Sequence, residues 1–395
     1  LFAVLYLSEG APVGFVWWAM PGLLRERGLD LASITTLTSL ATLPWVLKFL
    51  VAPVIDSSLA RRGSLKTWIL TCQAMMAIAL LPLLFIDWRD AFALVVAAVA
   101  LHAVFAATQD VAIDTLAIRT VPEPELGRVN GAMQLGMLIG RAGVAAGAAI
   151  VAAVFDTPAA AALCVIALIL APALVLLLAA DEPRVEAKPV AWRSIFAALR
   201  GRTLIAGAAV ALLAGAGFEF FGVSLGPRLV DLGGSETLRA WFYGLLAPGG
   251  LAAGALVGGA FADRAGVVRA TVVSLALLTA ALLLIAAGDW AEWTLARQLP
   301  IFGAVYLLIG LLTASSYALF MTLASGALAA TRFSVLMAMT NACEAWAGFV
   351  GGRLAVHHYG LTLLLLCAVA CAALVPLAYL ARSTHGRFGS ERVAA

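Results

Sequence analysis

The stretch Leu101-His102-Ala103-Val104-Phe105-Ala106-Ala107-Thr108-Gln109-Asp110-Val111-Ala112-Ile113-Asp114-Thr115-Leu116-Ala117-Ile118-Arg119 continues an apolar run from Phe92 to Ala100. Together the two are long enough to cross a bilayer as a single helix. Asp110 and Asp114 are therefore placed at membrane depth. Four residues apart, they share one helix face, with His102 two turns back on nearly the same stripe. A carboxylate inside a membrane costs a few kcal/mol on insertion scales and usually faces a protein interior or a water-filled path. Two on one stripe suggest a pathway. A structural role stays open beside it, with both acids near the cytoplasmic helix end locking helices together through buried ion pairs.

Composition sets the class. The 395 residues are 63% hydrophobic and only 12% charged, with a mean hydropathy of +1.02. A soluble chain carries about twice that charged fraction. The expected fold is an all-α polytopic membrane protein. Twelve apolar segments are expected, at Leu1 to Leu24, Leu31 to Val54, Thr67 to Ile86, Ala91 to Ile118, Val129 to Val154, Pro158 to Ala180, Thr203 to Val230, Leu238 to Phe261, Val267 to Ala287, Ile301 to Ala327, Phe333 to Val356 and Leu361 to Leu380. The chain opens in an apolar run without a methionine, so a short cytoplasmic start is expected to precede it; the run is too long for a cleaved signal peptide.

Charge position orients these segments. With both termini cytoplasmic, sixteen Lys and Arg fall on the inner connections and seven on the outer ones, while Lys48 and Arg141 lie within membrane segments. That satisfies the positive-inside rule. Cys72, Cys164, Cys343, Cys367 and Cys371 all fall in apolar runs without metal-ligand spacing, which suggests neither disulfides nor a zinc site. No phosphate-binding loop, HExxH or nucleophile elbow is found in the sequence. No cofactor, metal, nucleic-acid partner or enzymatic activity is expected, and a monomer in the lipid bilayer is the expected state.

The longest polar connection, Asp181 to Arg202, divides the chain into halves that repeat at an offset near 206 residues. Pro21-Gly22-Leu23-Leu24-Arg25 answers Pro227-Arg228-Leu229, Asp56 with Arg61 and Arg62 answers Asp263-Arg264, and Arg128-Val129-Asn130 answers Arg332-Phe333-Ser334. The expected organisation is a six-helix bundle over residues 1–180, a cytoplasmic linker over 181–202, a second six-helix bundle over 203–381 and a cytoplasmic tail over 382–395. Duplicated units of this kind rock about a central site.

Gly258-Gly259-Ala260-Phe261-Ala262-Asp263-Arg264-Ala265-Gly266-Val267-Val268-Arg269 resembles the loop signature of the major facilitator superfamily. Leu43-Pro44-Trp45-Val46-Leu47-Lys48-Phe49-Leu50-Val51-Ala52-Pro53-Val54-Ile55-Asp56 and Ala107 to Asp114 resemble its AmpG-like permeases, a branch of muropeptide permeases, siderophore importers and acetyl-CoA transporters. The resemblance implies a two-bundle transporter of the bacterial inner membrane that imports a muropeptide-like, siderophore-like or CoA-type solute.

Residues at membrane depth supply the candidate site. Glu9, Glu219 and Glu344, with Asp110, are proton-coupling candidates, because a desolvated carboxylate without a partner tends to carry a proton. Arg141 presents a planar fork suited to a carboxylate or phosphate of the solute, and Trp17 and Phe218, which lie near the acids, are further substrate candidates with Gln109. Glu9 and Arg141 are expected near mid-membrane, with Lys48, Asp110 and Asp114 nearer the cytoplasm as a separate gate, joined at the loops by Asp56, Asp263 and Arg264. Helix breaks are expected at Glu9-Gly10-Ala11-Pro12 and around Gly215, Gly217 and Gly222. The reading is a proton-coupled importer of a polar organic solute. A receptor that binds without transport and an uncoupled facilitator stay open as alternatives.

Overall fold

The computed structural model describes residues 1–51, 54–55, 58, 64–121, 126–155, 157–178, 201–324 and 329–391. Among them the chain forms twelve helical segments and no strand. These are α1 over residues 2–26, α2 Leu31–Val46, α3 Leu65–Leu84, α4 Phe92–Thr120, α5 Leu126–Val154, α6 Pro158–Leu178, α7 Arg202–Asp231, α8 Glu236–Ala265, α9 Val267–Trp290, α10 Leu295–Leu323, α11 Ala329–Ala355 and α12 over residues 359–391. Nine are long and apolar enough to cross a membrane. The other three are α1, α2 and α11, which carry Glu9, lead into Lys48 and carry Glu344.

Local chemistry sets the ends. Asp30 caps α2 by accepting from the Ser33 amide and hydroxyl at 2.8 and 2.9 Å, and Ser235 caps α8 by accepting from the Leu238 amide at 3.2 Å. Such side chains satisfy amides that the first helical turn leaves unpaired. Between α8 and α9 the chain turns at Gly266 with φ +83°, where a side chain is disfavoured.

Two expected helices differ from their sequence reading. α1 runs unbroken through Glu9 and Pro12 and widens into a π turn only at Gly14–Ala19. The proline removes one amide donor, and the lost register is absorbed in the following turn, a usual origin of π bulges. α2 ends at Val46, and Lys48–Leu50 forms a separate 3-10 turn in a stretch bracketed by Pro44 and Pro53. The expected loosening of α7 is present as a break at Ala214 and Gly215, between Arg202–Leu213 and Ala216–Asp231.

Two compact units form, Leu1–Val190 with Val223–Leu245, and Ala191–Gly222 with Leu246–Ala395. In the first, α1 packs along α5 on glycines: a Cβ at Gly10, Gly14 or Gly136 would overlap the backbone of Met137, Arg141 or Ala3, and one at Gly140 would overlap Leu7 and Ala11. In the second, Gly254 and Gly258 of α8 meet the backbone of Leu307 and Leu311 of α10, and Gly310 meets Leu251 in return. Small residues let membrane helices close to backbone contact, where dispersion and carbonyl contacts act instead of the hydrophobic effect.

Two apolar clusters fill the first unit. One gathers Phe15, Met20, Leu24, Ile34, Leu37, Met76, Leu80, Trp88, Val99 and Ile169. The other gathers Leu5, Tyr6, Ile55, Ile69, Ile113, Leu116, Met133 and Leu176. Gly254→Val is expected to destabilise the detergent-solubilised protein by at least the ~1–3 kcal/mol typical of overpacking. Gly259→Ala, whose Cβ meets open space, should leave the melting temperature unchanged; thermal-shift melting of the two variants checks both.

Candidate functional site

Three of the helices that reach both clusters carry polar residues at the crossing between them. On α1 the clusters meet either side of Ser8 and Glu9; on α3, either side of Gln73; on α4, either side of Gln109 and Asp110. Lys48 follows α2 at the same junction, between Ala41 in one cluster and Ile55 in the other. The result is a polar layer closed by apolar side chains above and below. Ser8, Gln73 and Gln109 are fully buried, and Glu9 and Asp110 are 2% and 6% exposed.

Within the layer, Lys48 Nζ donates to Asp110 Oδ2 at 2.8 Å. The Tyr6 hydroxyl donates to Asp114 Oδ1 in a short hydrogen bond and lies 3.4 Å from Asp110 Oδ1. Glu9 lies beside the same groups, next to Asp110, Asp114 and Lys48. Its Oε2 is buried with no hydrogen-bond partner. Ser8 organises the neighbouring amides: its Oγ donates to Leu5 O at 2.6 Å and accepts from Gln73 Nε2 at 3.3 Å and Gln109 Nε2 at 3.4 Å. Both amide Oε1 atoms are left without a partner.

The expected split into a mid-membrane group and a cytoplasmic gate does not describe this unit. Glu9 joins Lys48, Asp110 and Asp114 in one cluster. Its cause is the antiparallel run of α1 and α4. At 1.5 Å per residue, Glu9 is roughly 11 Å into α1 and Asp110 roughly 15 Å from the end of α4, so the two are nearly level. Among the described residues, three carboxyl groups thus share one ammonium in a layer whose core is buried, with the Lys48 side chain 28% exposed at its edge. Full ionisation would leave an excess of negative charge in a low-dielectric setting, the costly case for buried ions.

The other candidates lie elsewhere. Arg141 on α5 is half-buried with its guanidinium 5.0 Å from the centre of the Trp18 ring. Trp17 packs edge-on against Trp45 at 5.7 Å. In the second unit, Phe218 and Glu219 begin the α7 segment that follows the break. They line a cavity of about 100 Å³ with Gly215, Ser316, Tyr317, Phe320 and Thr340. Glu344 is half-buried on α11, one position after Cys343, whose sulfur packs against Gly215. Asp263 and Arg264 are exposed at the end of α8, and Asp56 lies outside the described residues.

Sequence reasoning missed several partners. Tyr6, Ser8 and Gln73 are neutral polar residues in apolar runs and give no charge signal. Arg25 and Asp231 form a two-pronged ion pair, Nε to Oδ1 at 2.7 Å and Nη2 to Oδ2 at 3.1 Å. Glu26 pairs with Arg239 beside it. Arg25 and Asp231 are 206 residues apart, which is the repeat offset itself and was available as a signal.

Comparison with known proteins places this architecture. The family model of the Major Facilitator Superfamily matches residues 2–352. A protein named as transporter AmpG 4 in Rickettsia conorii is 26% identical over 183 residues, covering 45% of this chain and 44% of that protein. An uncharacterised membrane protein of Saccharomyces cerevisiae is 29% identical over 167 residues, covering 35% of this chain and 29% of that protein. The chain spans less than half the length of these curated relatives. Among solved structures, the nucleoside transporter NupG superposes with a TM-score of 0.76 at 13% identity, covering 95% of this chain and 98% of that one. A D-xylose-proton symporter superposes at 0.74 and 10% identity, covering 95% of each chain; at such identities the likeness shows the fold alone. With the family model extending over most of its length, the chain belongs to the major facilitator superfamily, and AmpG-like transporters are among its relatives.

Proposed function

We propose that the protein is a secondary active transporter that imports a polar, partly anionic organic solute together with protons, by alternating access. The observation that carries this reading is the polar layer of the first unit, in which Glu9, Asp110 and Asp114 share the single ammonium of Lys48 and Glu9 keeps an unpartnered buried oxygen. A proton relieves that excess of negative charge, and loss of the proton restores it. Charge that can be added and removed inside this largely buried layer biases a two-state equilibrium, because each state solvates it differently. Glu9 is assigned the transported proton. Lys48 holds Asp110 while Glu9 is protonated and is released toward Glu9 or Asp114 when it is not.

The remaining assignments follow the sequence reading. In the first unit Arg141, Trp17 and Gln109 are assigned to a solute of the muropeptide-like or siderophore-like class, and in the second unit, taken by itself, Phe218 keeps the same assignment. Glu219 and Glu344 are further coupling groups, and Asp56, Asp263 and Arg264 belong to the cytoplasmic gate at the loops. The protein works as a monomer in a bacterial inner membrane with both termini cytoplasmic, its two bundles spanning residues 1–180 and 203–381 on either side of the 181–202 linker.

Reconstituted proteoliposomes with an imposed pH gradient test the assignment of Glu9, using radiolabelled anhydromuropeptides and ferric siderophores as solutes. Glu9→Gln should abolish accumulation against a gradient while leaving solute exchange across the membrane intact. Accumulation equal to the parent would end the proton assignment.

The pair makes a separate prediction. Lys48→Met alone strands Asp110 and should cost about 3–5 kcal/mol of stability, the range for breaking a buried pair. Lys48→Met with Asp110→Asn removes both charges and should recover most of that loss while transport stays absent. Thermal melting of the parent, both single variants and the double variant reads the coupling; an additive pair of losses would contradict it.

A further inference from the structure

The cavity of the second unit has a chemistry of its own. It opens where α7 breaks at Ala214 and Gly215, and its wall carries Phe218, Glu219, Ser316, Tyr317, Phe320 and Thr340. The hydroxyl hydrogens of two of these are already committed. Ser316 Oγ donates to Thr313 O at 3.1 Å, and Thr340 Oγ1 donates to Met337 O at 2.7 Å. What these hydroxyls still offer is lone pairs. An ionised Glu219 carboxylate likewise only accepts. Tyr317 and Phe320 lie with ring centres 6.2 Å apart and planes tilted by 34°, and Phe218 adds a third ring. Ring faces carry negative charge density that attracts a cation, most strongly where water is excluded.

Acceptors joined to three aromatic rings select a group that is positively charged and rich in hydrogen-bond donors. We infer that this cavity is a subsite for a primary ammonium group of the transported solute, held by Glu219, Ser316 and Thr340 against Phe218, Tyr317 and Phe320. At about 100 Å³, the cavity has room for an ammonium and the short aliphatic stem behind it, with the remainder of the solute outside. An anionic group would set its lone pairs against those of Glu219, Ser316 and Thr340, and a neutral alcohol lacks both the charge and the three donors. The inference rests on the reading of the chain as a solute transporter, and adds that the solute carries an amine.

Purified full-length protein in detergent tests the subsite without any transport measurement. The probe is n-butylammonium chloride, compared with n-butanol and sodium butyrate at equal ionic strength, read by thermal shift and by saturation-transfer NMR. Butylammonium should give a saturable rise in melting temperature and ligand saturation, while butanol and butyrate give neither. Glu219→Gln should weaken the binding about tenfold to a hundredfold, the loss expected for hydrogen bonds to a charged group, and Glu219→Asp should retain part of it. Thr340→Val, which keeps the side-chain shape, should weaken binding without changing the unliganded melting temperature, and it decides the matter if Glu219→Gln fails to fold. Equal effects from butanol, or butylammonium binding unchanged in the variants, would overturn the subsite. Butylammonium binding in a protein that accumulates no solute under a pH gradient would uphold the subsite and remove the transport reading; proton-driven uptake without butylammonium binding would do the reverse.

Discussion

The Lys48–Asp110 ion pair is the constraint around which the first unit is built. A buried ammonium and carboxylate are tolerable only when paired and kept paired, and the layout of five helices serves that end. Apolar clusters close the layer on both sides, the 3-10 turn after α2 brings Lys48 to the level of Asp110, and α1 places Tyr6 and Glu9 against α4. The close packing of α1 on α5 through Gly10, Gly14, Gly136 and Gly140 holds α1 in register. Moving α1 by one residue would rotate Glu9 and Tyr6 away from the aspartates by about 100°. Backbone-to-backbone packing and the charge cluster are therefore one arrangement, the first fixing the geometry that the second needs.

The second unit uses the same packing device with different contents. α8 and α10 approach on Gly254, Gly258 and Gly310, and α7 breaks at Ala214 and Gly215, which answer Ser8 and Glu9 at the repeat offset, where α1 runs unbroken. The cavity in the second unit is lined by hydroxyls, aromatic rings and one carboxylate. Duplication supplies two scaffolds, and the side chains at equivalent levels have since taken up different work, which is how a fold shared by many carriers comes to handle unrelated cargo.

The helices were legible because apolar length is a strong signal, and so were the acids, because a charge in an apolar run is conspicuous. Depth was less legible. Glu9 was placed apart from Asp110 because each helix was measured alone, whereas their common level follows from pairing two antiparallel helices. The ends of α2 and the π turn of α1 depend on how a proline's lost hydrogen bond is redistributed, which neighbouring helices decide. Ser8 and Gln73 gave no warning, since a neutral polar residue in a membrane helix is usually bonded to its own backbone. Nor did the roles of Ser316 and Thr340 show, as only the cavity makes their lone pairs count.

Arg25 and Asp231 occupy matching places in the repeat and touch each other. A residue that meets its own counterpart would, in a pair of identical halves, face a copy of itself. Two arginines or two aspartates there would repel. Complementary charge at such a point requires the copies to differ, so this contact belongs to a joined and diverged chain and could not have existed in a symmetric pair of identical six-helix ancestors. It records an order of events, with fusion or divergence first and the ion pair after. It also means that exchanging the two halves for two copies of either one would turn an attraction into a repulsion.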